Sequence, residues 1–328
     1  MSNIHPRFYK EQPAHPVKLF NGRSNIKLAQ DVAAYLNIPL GNALVSNFAN
    51  GETRVKIDEM VRGSRVFVIQ PTCGNVNDSL MELLIMIDAL KRASAHQVCA
   101  VIPYFGYAKQ EKKVTGREPI TAKLVANLIT TAGADRVITV DLHAPAIQGF
   151  FDIPTDNLKA LPTLAEHYKE KGLVGKDVVV VSPDAGGVTR ATELAERLKA
   201  RLAIIFKRRP EPDQTEVIDV VGKIKGCRAA IIIDDMISTG GTLALAVEQL
   251  VRLGAQKVYT AVTHAILAGK AVDILSKASI EELLVTDTIP LSEEALAMPN
   301  LKVISLAPLL GEAIKRTHHY ESISALFN

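Results

Sequence analysis

Short apolar runs alternate with longer amphipathic segments along almost the whole chain. The apolar runs are rich in Val, Ile and Ala, as is typical of strands buried on both faces, and they cover residues 17–20, 65–69, 98–103, 137–140, 178–181, 203–206, 229–233 and 258–262. The segments between them have apolar positions at helical spacing, for example at 78–93, 121–131, 189–199 and 243–253. This alternation predicts an α/β fold in which mostly parallel sheets are flanked by helices.

The pattern contains an internal repeat. A Gly-Ala-x-x-Val-x-Thr sequence begins at Gly133 and again at Gly254, and His143 recurs as His264 at the same offset. Although βα units resemble one another in general, matching features on both sides of a helix favour a duplication. We therefore predict two similar tandem domains. The predicted boundaries give a tail at 1–16, domains at 17–155 and 156–312, and a C-terminal segment at 313–328.

Two adjacent carboxylates, Asp234 and Asp235, follow the apolar run 229–233, and a loop of small residues then leads into a helix. Glycines in such a loop let backbone N–H groups approach an anion, and the helix dipole favours its charge. The carboxylates accept hydrogen bonds from a diol or hold a metal, so the stretch predicts a sugar-phosphate site. A tight strand–helix turn capped by Thr242 is the alternative. The loop residues are Ser238, Thr239, Gly240, Gly241 and Thr242.

Two other strand ends carry candidate chemistry. Asp184 opens a small-residue loop, which could accept a second phosphate group at the carboxyl end of a strand, with Asp184 as a metal ligand. A simple Asp-Gly turn explains the loop equally well. His143 follows the run 137–140 and could ligate a metal or contact phosphate, though a lone histidine there is usually structural. The loop consists of Asp184, Ala185, Gly186 and Gly187.

A basic segment follows the run 203–206. Lys207 and Arg209 precede two prolines and mixed charges, which predicts an extended lid that neutralises a transferring phosphoryl group, with a solvated charge run as the alternative. In the first repeat, the longer basic segment 104–119 stands where the second repeat has its acidic loop. The first repeat therefore predicts a different ligand or an interface. The segment 48–52 is typical of a hairpin turn, and nothing local indicates more.

Composition narrows the class of protein. The chain has 328 residues, 48% of them hydrophobic, which is enough for about two domains with large cores. No apolar run is long enough to span a bilayer and the start of the chain has no signal-peptide pattern, so we expect a soluble cytoplasmic protein. A net charge of +3 and the absence of Trp argue against nucleic acid as a partner. Three cysteines without metal-ligand spacing fit a reducing compartment.

Taken together, these motifs resemble one family along nearly the whole chain, the ribose-phosphate diphosphokinases or phosphoribosyl pyrophosphate (PRPP) synthetases. The resemblance rests on separated stretches in a fixed order, at 81–94, 117–123, 141–144, 148–154, 182–190 and 207–210, together with the acidic loop. It implies a duplication of the phosphoribosyltransferase-like fold. The implied reaction transfers the β,γ-diphosphate of ATP to the 1-hydroxyl of ribose 5-phosphate, giving PRPP and AMP for nucleotide biosynthesis.

The resemblance also implies a role for each candidate residue. Asp234, Asp235 and the loop 238–242 would bind ribose 5-phosphate, the loop 184–187 would receive the diphosphate, and Lys207 and Arg209 would be catalytic. His143 and Asp184 would bind Mg²⁺. The implied ATP-binding residues are Phe48, Asn50, Glu52, Lys109, Gln110 and His143, of which the first three come from a neighbouring subunit. Ser322, Ser324 and Phe327 resemble a regulatory segment of ADP-inhibited hexamers built from dimers.

The chain departs from the family pattern in its nucleotide segment. Lys109 and Lys112 stand where the family usually has arginines, so a point charge replaces a bidentate planar group. Two other functions can be compared with the sequence. A non-catalytic regulatory paralogue would be expected to lack Lys207, Arg209, His143 or Asp235, and all four are present. A phosphoribosyltransferase that consumes PRPP does not account for the duplicated domain.

Overall fold

The computed structural model describes residues 15–208 and 217–327 and divides them into two α/β halves. In chain order the first half contains β1 (Val17–Asn21), α1 (Ile26–Leu36), β2 (Ala43–Asn47), β3 (Thr53–Ile57), β4 (Arg65–Ile69), α2 (Val76–Arg92), β5 (Gln97–Ile102), α3 (Thr121–Ala132), β6 (Arg136–Val140), a 3₁₀ helix (Pro145–Phe150) and β7 (Thr155–Leu158). The second half contains α4 (Leu161–Glu170), β8 (Val178–Ser182), α5 (Val188–Leu198), β9 (Arg201–Arg208), β10 (Val217–Val221), β11 (Ala229–Ile237), α6 (Gly241–Arg252), β12 (Val258–Ala265), α7 (Ala271–Lys277), β13 (Glu282–Thr286), α8 (Glu293–Leu296), β14 (Leu301–Ile304), α9 (Ala307–His319) and a 3₁₀ helix (Ser324–Leu326).

Each half forms one mostly parallel sheet. The first sheet has the order β1-β4-β5-β6-β7, and all its neighbouring strands are parallel. The second has the order β10-β9-β8-β11-β12-β13-β14, in which only β10 runs antiparallel to its neighbour. β2 and β3 form a separate antiparallel hairpin whose turn is the segment 48–52. The predicted fold class, two α/β units with sheets flanked by helices, is confirmed.

The repeat seen in the sequence corresponds to equivalent strands. The aligned segments place β4 with β8 and β6 with β12. In the first sheet β4 and β6 lie on either side of β5, and in the second sheet β8 and β12 lie on either side of β11. The carboxyl ends of these strands are where parallel sheets present loops to a ligand. Both halves therefore offer the same kind of site, and the loops decide what each site can bind.

Three boundaries differ from the sequence-based predictions. β11 continues to Ile237, so Asp234 and Asp235 lie within the strand and not after it. The helix after the loop begins at Gly241, with Gly240 at the N-cap position at φ +78°, so Thr242 is not its N-cap. β9 continues to Arg208, and Lys207 is thus a strand residue.

One apolar cluster joins the two halves. It contains Phe67 and Val101 from the first sheet, Val180 and Ile231 from the second, and Leu310 from α9. Because the largest core is shared, the two sheets are held at a fixed separation. The domain boundaries proposed at 155/156 and 312/313 fall inside β7 and α9.

The end of α9 is also held by the first half. Arg65, at the start of β4, is 3% exposed and donates to the carbonyl oxygen of His318 at 2.8 Å. Its guanidinium carbon lies 4.7 Å from the ring centroid of Tyr320. A positive side chain at the carboxyl end of a helix satisfies free carbonyls and complements the dipole.

None of the helices within the described part of the chain has the length and apolar composition needed to cross a bilayer.

We predict that Gly222→Ala destabilises the hairpin of β9 and β10. Gly222 follows β10 at φ +130°, and an added Cβ would lie 2.7 Å from Cβ and 2.8 Å from Cα of Ala203 in β9. Backbone strain and overpacking together should lower the free energy of unfolding by about 2–4 kcal/mol in a urea titration. Gly226→Ala is the matched control, because Gly226 has φ +76° and nothing within 4 Å of an added Cβ. It should cost about 1–2 kcal/mol, from strain alone. Equal losses would show that the contact with β9 does not matter.

Candidate active site

An acidic pair at the end of β11 is the centre of the candidate site. Asp235 is 5% exposed, and its Oδ2 lies 2.8 Å from Nδ1 of His143, which follows β6 in the other sheet. Nη1 of Arg190, on α5, lies 3.5 Å from an Oδ1 atom of each aspartate. The backbone N–H of Asp235 donates to Oδ1 of Asp234 at 2.8 Å. Groups from two sheets and one helix therefore converge on two adjacent carboxylates.

The surroundings shift the pKa values of the two aspartates in opposite directions. Burial, reinforced by the neighbouring Asp235, raises the pKa of Asp234 to about 8. Burial also acts to raise the pKa of Asp235, but the hydrogen bond with His143 and the charge of Arg190 outweigh it and hold that pKa below its usual value. The same hydrogen bond raises the pKa of His143. Without ligands, the pair therefore carries about one negative charge near neutral pH.

A small cavity of about 260 Å³ opens beside this pair. Its wall includes the predicted loop between β11 and α6, where the positive φ of Gly240 turns the backbone toward the start of the helix. Such a loop at a helix N-terminus is suited to a phosphate group, and the acidic pair to hydroxyls or a cation. The predicted site residues that line the cavity are Lys109, His143, Asp184, Asp234, Asp235, Ser238, Thr239, Gly240 and Thr242.

The loop that starts at Asp184 is held in shape by its own hydrogen bonds. Oδ1 of Asp184 accepts from the backbone N–H of Gly187 at 2.9 Å, and the Ser182 hydroxyl donates to the carbonyl of Asp184 at 2.7 Å. An added Cβ at Gly187 would lie 2.9 Å from Oγ of Ser182, so a larger residue there would displace the Ser182 hydroxyl. α5 begins directly after this loop and carries Arg190 to the acidic pair. The loop and the pair are therefore positioned together.

A larger cavity of about 620 Å³ lies at the strand ends of the first half. The loop after β5 supplies Tyr104, Tyr107, Lys109 and Gln110 to its wall, and Ser238 of the second half borders it. Oε1 of Gln110 accepts from the Thr121 hydroxyl at 2.5 Å, which ties this loop to the start of α3. Lys109 and Ser238 line both cavities, so the two spaces adjoin.

Other predicted residues lie elsewhere. The described residues that line these two cavities do not include Phe48, Asn50 or Glu52, and Phe48 is 50% exposed on the hairpin turn. Arg209 lies outside the described residues, and for Lys207 only the backbone is described, in β9.

The predicted regulatory segment contributes no described residue to the walls of the two cavities. Arg197 of α5 donates to the carbonyl oxygen of Phe327 at 2.6 Å, and Arg316 donates to that of Ser322 at 3.0 Å. Ser324 begins the final 3₁₀ helix.

Sequence reasoning missed Arg190. The stretch 182–190 carries part of the family resemblance, but its sequence pattern assigns no role to the guanidinium. The available signal was its position in the first turn of a helix that follows a strand-end glycine loop. An arginine there faces the ligand edge of the sheet.

The arrangement is not a preformed metal centre. Among residues 15–208 and 217–327, no group of three or more His, Cys, Asp or Glu side chains is placed to hold a metal ion by itself. The oxygen donors of Asp184, Asp234 and Asp235 nevertheless line one cavity. Carboxylates of this kind suit a hard cation that completes its shell with water and phosphate oxygens.

Comparison with known proteins gives a consistent result. A family model described as the N-terminal domain of ribose phosphate pyrophosphokinase matches residues 17–133, and the phosphoribosyl synthetase-associated domain matches residues 208–328. The ribose-phosphate pyrophosphokinase of Bacillus caldolyticus is 53% identical over 96% of this chain and 98% of its own. That of Caldanaerobacter subterraneus subsp. tengcongensis is 54% identical over 95% and 98%. A crystal structure of phosphoribosylpyrophosphate synthetase from Mycobacterium smegmatis superimposes with a TM-score of 0.86 at 44% identity, covering 93% of this chain and 99% of that one.

We predict that Asp234→Asn raises the thermal midpoint of the ligand-free protein. Between about pH 4 and pH 8 the unfolded chain loses the proton of this carboxyl while the folded state keeps it, so the stability of the folded state falls as the pH rises. Asparagine keeps the acceptor oxygen without that charge. The gain should therefore be larger at pH 8 than at pH 5, as measured by differential scanning calorimetry.

Asp235→Asn is the matched variant, and its effect on the thermal midpoint should be opposite to that of Asp234→Asn. Its carboxylate is stabilised by His143 and Arg190, so the substitution should lower the midpoint. A pH-independent gain for Asp234→Asn would contradict the assignment of the proton to Asp234.

Proposed function

The chain belongs to the ribose-phosphate pyrophosphokinase (PRPP synthetase) family, and from this premise we propose how its residues divide the work. The enzyme transfers a diphosphate group from ATP to the 1-hydroxyl of ribose 5-phosphate, and the products are PRPP and AMP. The reaction forms no bond to the protein. Catalysis therefore consists of placing the two substrates in line and neutralising the transferred charge.

Ribose 5-phosphate is proposed to occupy the small cavity. The observation that carries this assignment is the acidic pair beside the glycine loop, since the loop suits the 5-phosphate and the carboxylates suit the ribose hydroxyls. The phosphate would lie against the backbone of residues 238–242. The 1-hydroxyl would then point toward the larger cavity, where Lys109 and Ser238 border both spaces.

The reaction is metal-dependent, as expected for a kinase-type transfer from ATP, and we assign the metal as Mg²⁺. The carboxylate oxygens of Asp184, Asp234 and Asp235 are hard donors on one cavity wall, which fits this ion. These carboxylates would hold the ion, whose charge would reduce the repulsion between the triphosphate and the acidic pair. His143 is proposed to border this site through its bond to Asp235.

ATP is proposed to bind in the larger cavity. Its volume of about 620 Å³ and its tyrosine, lysine and glutamine lining suit a nucleotide with its phosphates. The hairpin residues Phe48, Asn50 and Glu52 are proposed to complete the adenine site of a neighbouring subunit. They are exposed and do not line the small or the larger cavity of their own chain, which supports a shared site in a homo-oligomer that we propose is a hexamer of dimers.

Lys207 and Arg209 are proposed to stabilise the transition state. β9 lies next to β8 in the sheet, with Ile204 paired to Ser182, so the carboxyl end of β9 extends past the Asp184 loop. Cations entering from this edge would meet the transferred diphosphate. In the same scheme, Ala185, Gly186 and Gly187 receive the diphosphate. Ser322, Ser324 and Phe327 form a regulatory segment that contacts α5 through Arg197.

We predict that Lys207→Ala lowers kcat by about a hundredfold or more and leaves the Kd for ribose 5-phosphate within about twofold. A cation that acts mainly in the transition state contributes to the rate and not to ground-state binding. The assay mixes protein, MgATP and ribose 5-phosphate and measures AMP and PRPP, while calorimetry gives the Kd. A comparable loss of ground-state binding would argue against this role. Failure of the unchanged enzyme to form AMP at every phosphate concentration tested would favour a regulatory paralogue.

We predict that Lys109→Arg lowers the KM for ATP by about threefold to tenfold, because a guanidinium binds phosphate oxygens bidentately where an ammonium is a point charge. Lys112→Arg is the control, since Lys112 is 74% exposed and pairs with Glu111 at 3.3 Å. It should leave the KM for ATP unchanged. Equal effects of the two substitutions would mean that net charge, and not position in the cavity wall, sets the affinity.

A further inference from the structure

The two histidines of the internal repeat have opposite surroundings. The side chain of His143 is 36% exposed and lines the small cavity, whereas His264, its counterpart in the second repeat, is 1% exposed. The backbone explains the difference. β6 ends at Val140 and Asp141 then takes φ +39°, which turns the chain toward the site. β12 continues to Ala265 and keeps His264 inside the sheet.

The buried imidazole of His264 bridges the two sheets. Its Nε2 lies 3.1 Å from the carbonyl oxygen of Val140 and 3.3 Å from that of Asp141, so this nitrogen carries the hydrogen and donates. Its Nδ1 lies 2.9 Å from the hydroxyl of Thr288, which therefore donates to it. Both ring nitrogens are satisfied. The ring thus links the end of β6 in the first sheet to the loop after β13 in the second.

The neighbouring residue reinforces this link. The Thr263 hydroxyl donates to Oδ2 of Asp141 at 2.6 Å, and the backbone N–H of Ala160 donates to the same oxygen at 3.3 Å. A positive φ is unfavourable for a residue with a side chain and persists where the surroundings hold it. The positive φ of Asp141 is stabilised by these two hydrogen bonds and by those from His264 to the carbonyl oxygens of Val140 and Asp141.

The strand pairing relates this link to the acidic pair. His264 pairs with Met236 in the sheet, one residue after Asp235. β11, which carries Asp235, is therefore paired with β12, and His264 of β12 donates a hydrogen bond to the turn that precedes His143. The 2.8 Å bond between His143 and Asp235 spans the same two sheets.

We propose that His264 is a positioning residue for diphosphate transfer: it fixes the turn at Asp141 and so places His143 against Asp235. His264 is absent from the described residues that line the small cavity, so it acts on the reaction through another residue, here His143. Its ring also lies edge-on to Tyr104 with centroids 5.1 Å apart, and the double-mutant cycle below separates these two routes. The inference rests on the proposed role of His143 in the site. It assigns to the second copy of the repeated histidine a function that complements the first.

The test is a double-mutant cycle measured by AMP formation at saturating MgATP. His264→Phe keeps a ring of similar size but removes the hydrogen bonds to Val140, Asp141 and Thr288, and should lower kcat by about tenfold to a hundredfold, as expected for a misplaced active-site group. The KM for ribose 5-phosphate should change by less than about threefold, since the phosphate loop is untouched. His264→Gln retains a donor for the carbonyls and should recover most of kcat. Combined with His143→Ala, His264→Phe should cause no further loss.

Several controls keep the result interpretable. Thr263→Val removes only the hydroxyl that donates to Asp141. If His264→Phe does not fold, Thr263→Val takes its place in the double-mutant cycle with His143→Ala. His167→Gln is the control, because His167, on α4, is another largely buried histidine and binds Glu282 of β13 at 2.8 Å. The kcat of this variant should equal that of the unchanged enzyme. Near-ultraviolet circular dichroism establishes that each variant is folded.

Two outcomes overturn the proposal, and they differ. If His143→Ala lowers kcat, and adding His264→Phe lowers it again by the same factor as in the unchanged enzyme, then His264 acts independently and the positioning role is wrong. If His143→Ala leaves kcat unchanged, the proposed role of His143 in the site fails, and the inference built on it fails too.

Discussion

Two adjacent carboxylates in a buried strand have to be neutralised, and the site is organised around that requirement. Asp235 has 5% of its surface exposed, so an uncompensated charge there would cost several kcal/mol. His143 supplies one partner from the other sheet, and Arg190 supplies another from α5. Since these groups belong to separate elements, the acidic pair can be accommodated only once both halves have folded against their common core.

The duplication gave the two halves the same strand ends and different loops. In the second half a short acidic loop encloses about 260 Å³, while in the first a longer basic segment borders about 620 Å³. The small space suits a sugar phosphate and the large one a nucleotide. Lys109 and Ser238 line both, so donor and acceptor can meet where the two copies of the fold adjoin. In the proposed assignment, the two substrates bind at equivalent strand ends of the two repeats.

Much of this could be predicted from the sequence, because it depends on local pattern. Buried apolar runs give parallel strands, and the carboxyl ends of parallel strands share one edge, so Asp184 and Asp234 were expected near each other. The length of β11 was predicted wrongly, since two adjacent aspartates normally end a strand. Here His143 and Arg190 neutralise them, and the strand continues to Ile237.

Long-range partnerships were beyond the local pattern. His143 and Asp235 are 92 residues apart in the chain, and Thr263 and Asp141 are 122 apart. Nothing in the residues around His264 shows that its ring reaches the carbonyls of the other sheet. The repeat shows only that the two histidines occupy equivalent positions in the sequence. β6 stops at Val140, so His143 lies beyond the strand and reaches the cavity. β12 continues to Ala265, so His264 stays inside the sheet. The point at which β6 stops depends on the tertiary contacts of Asp141.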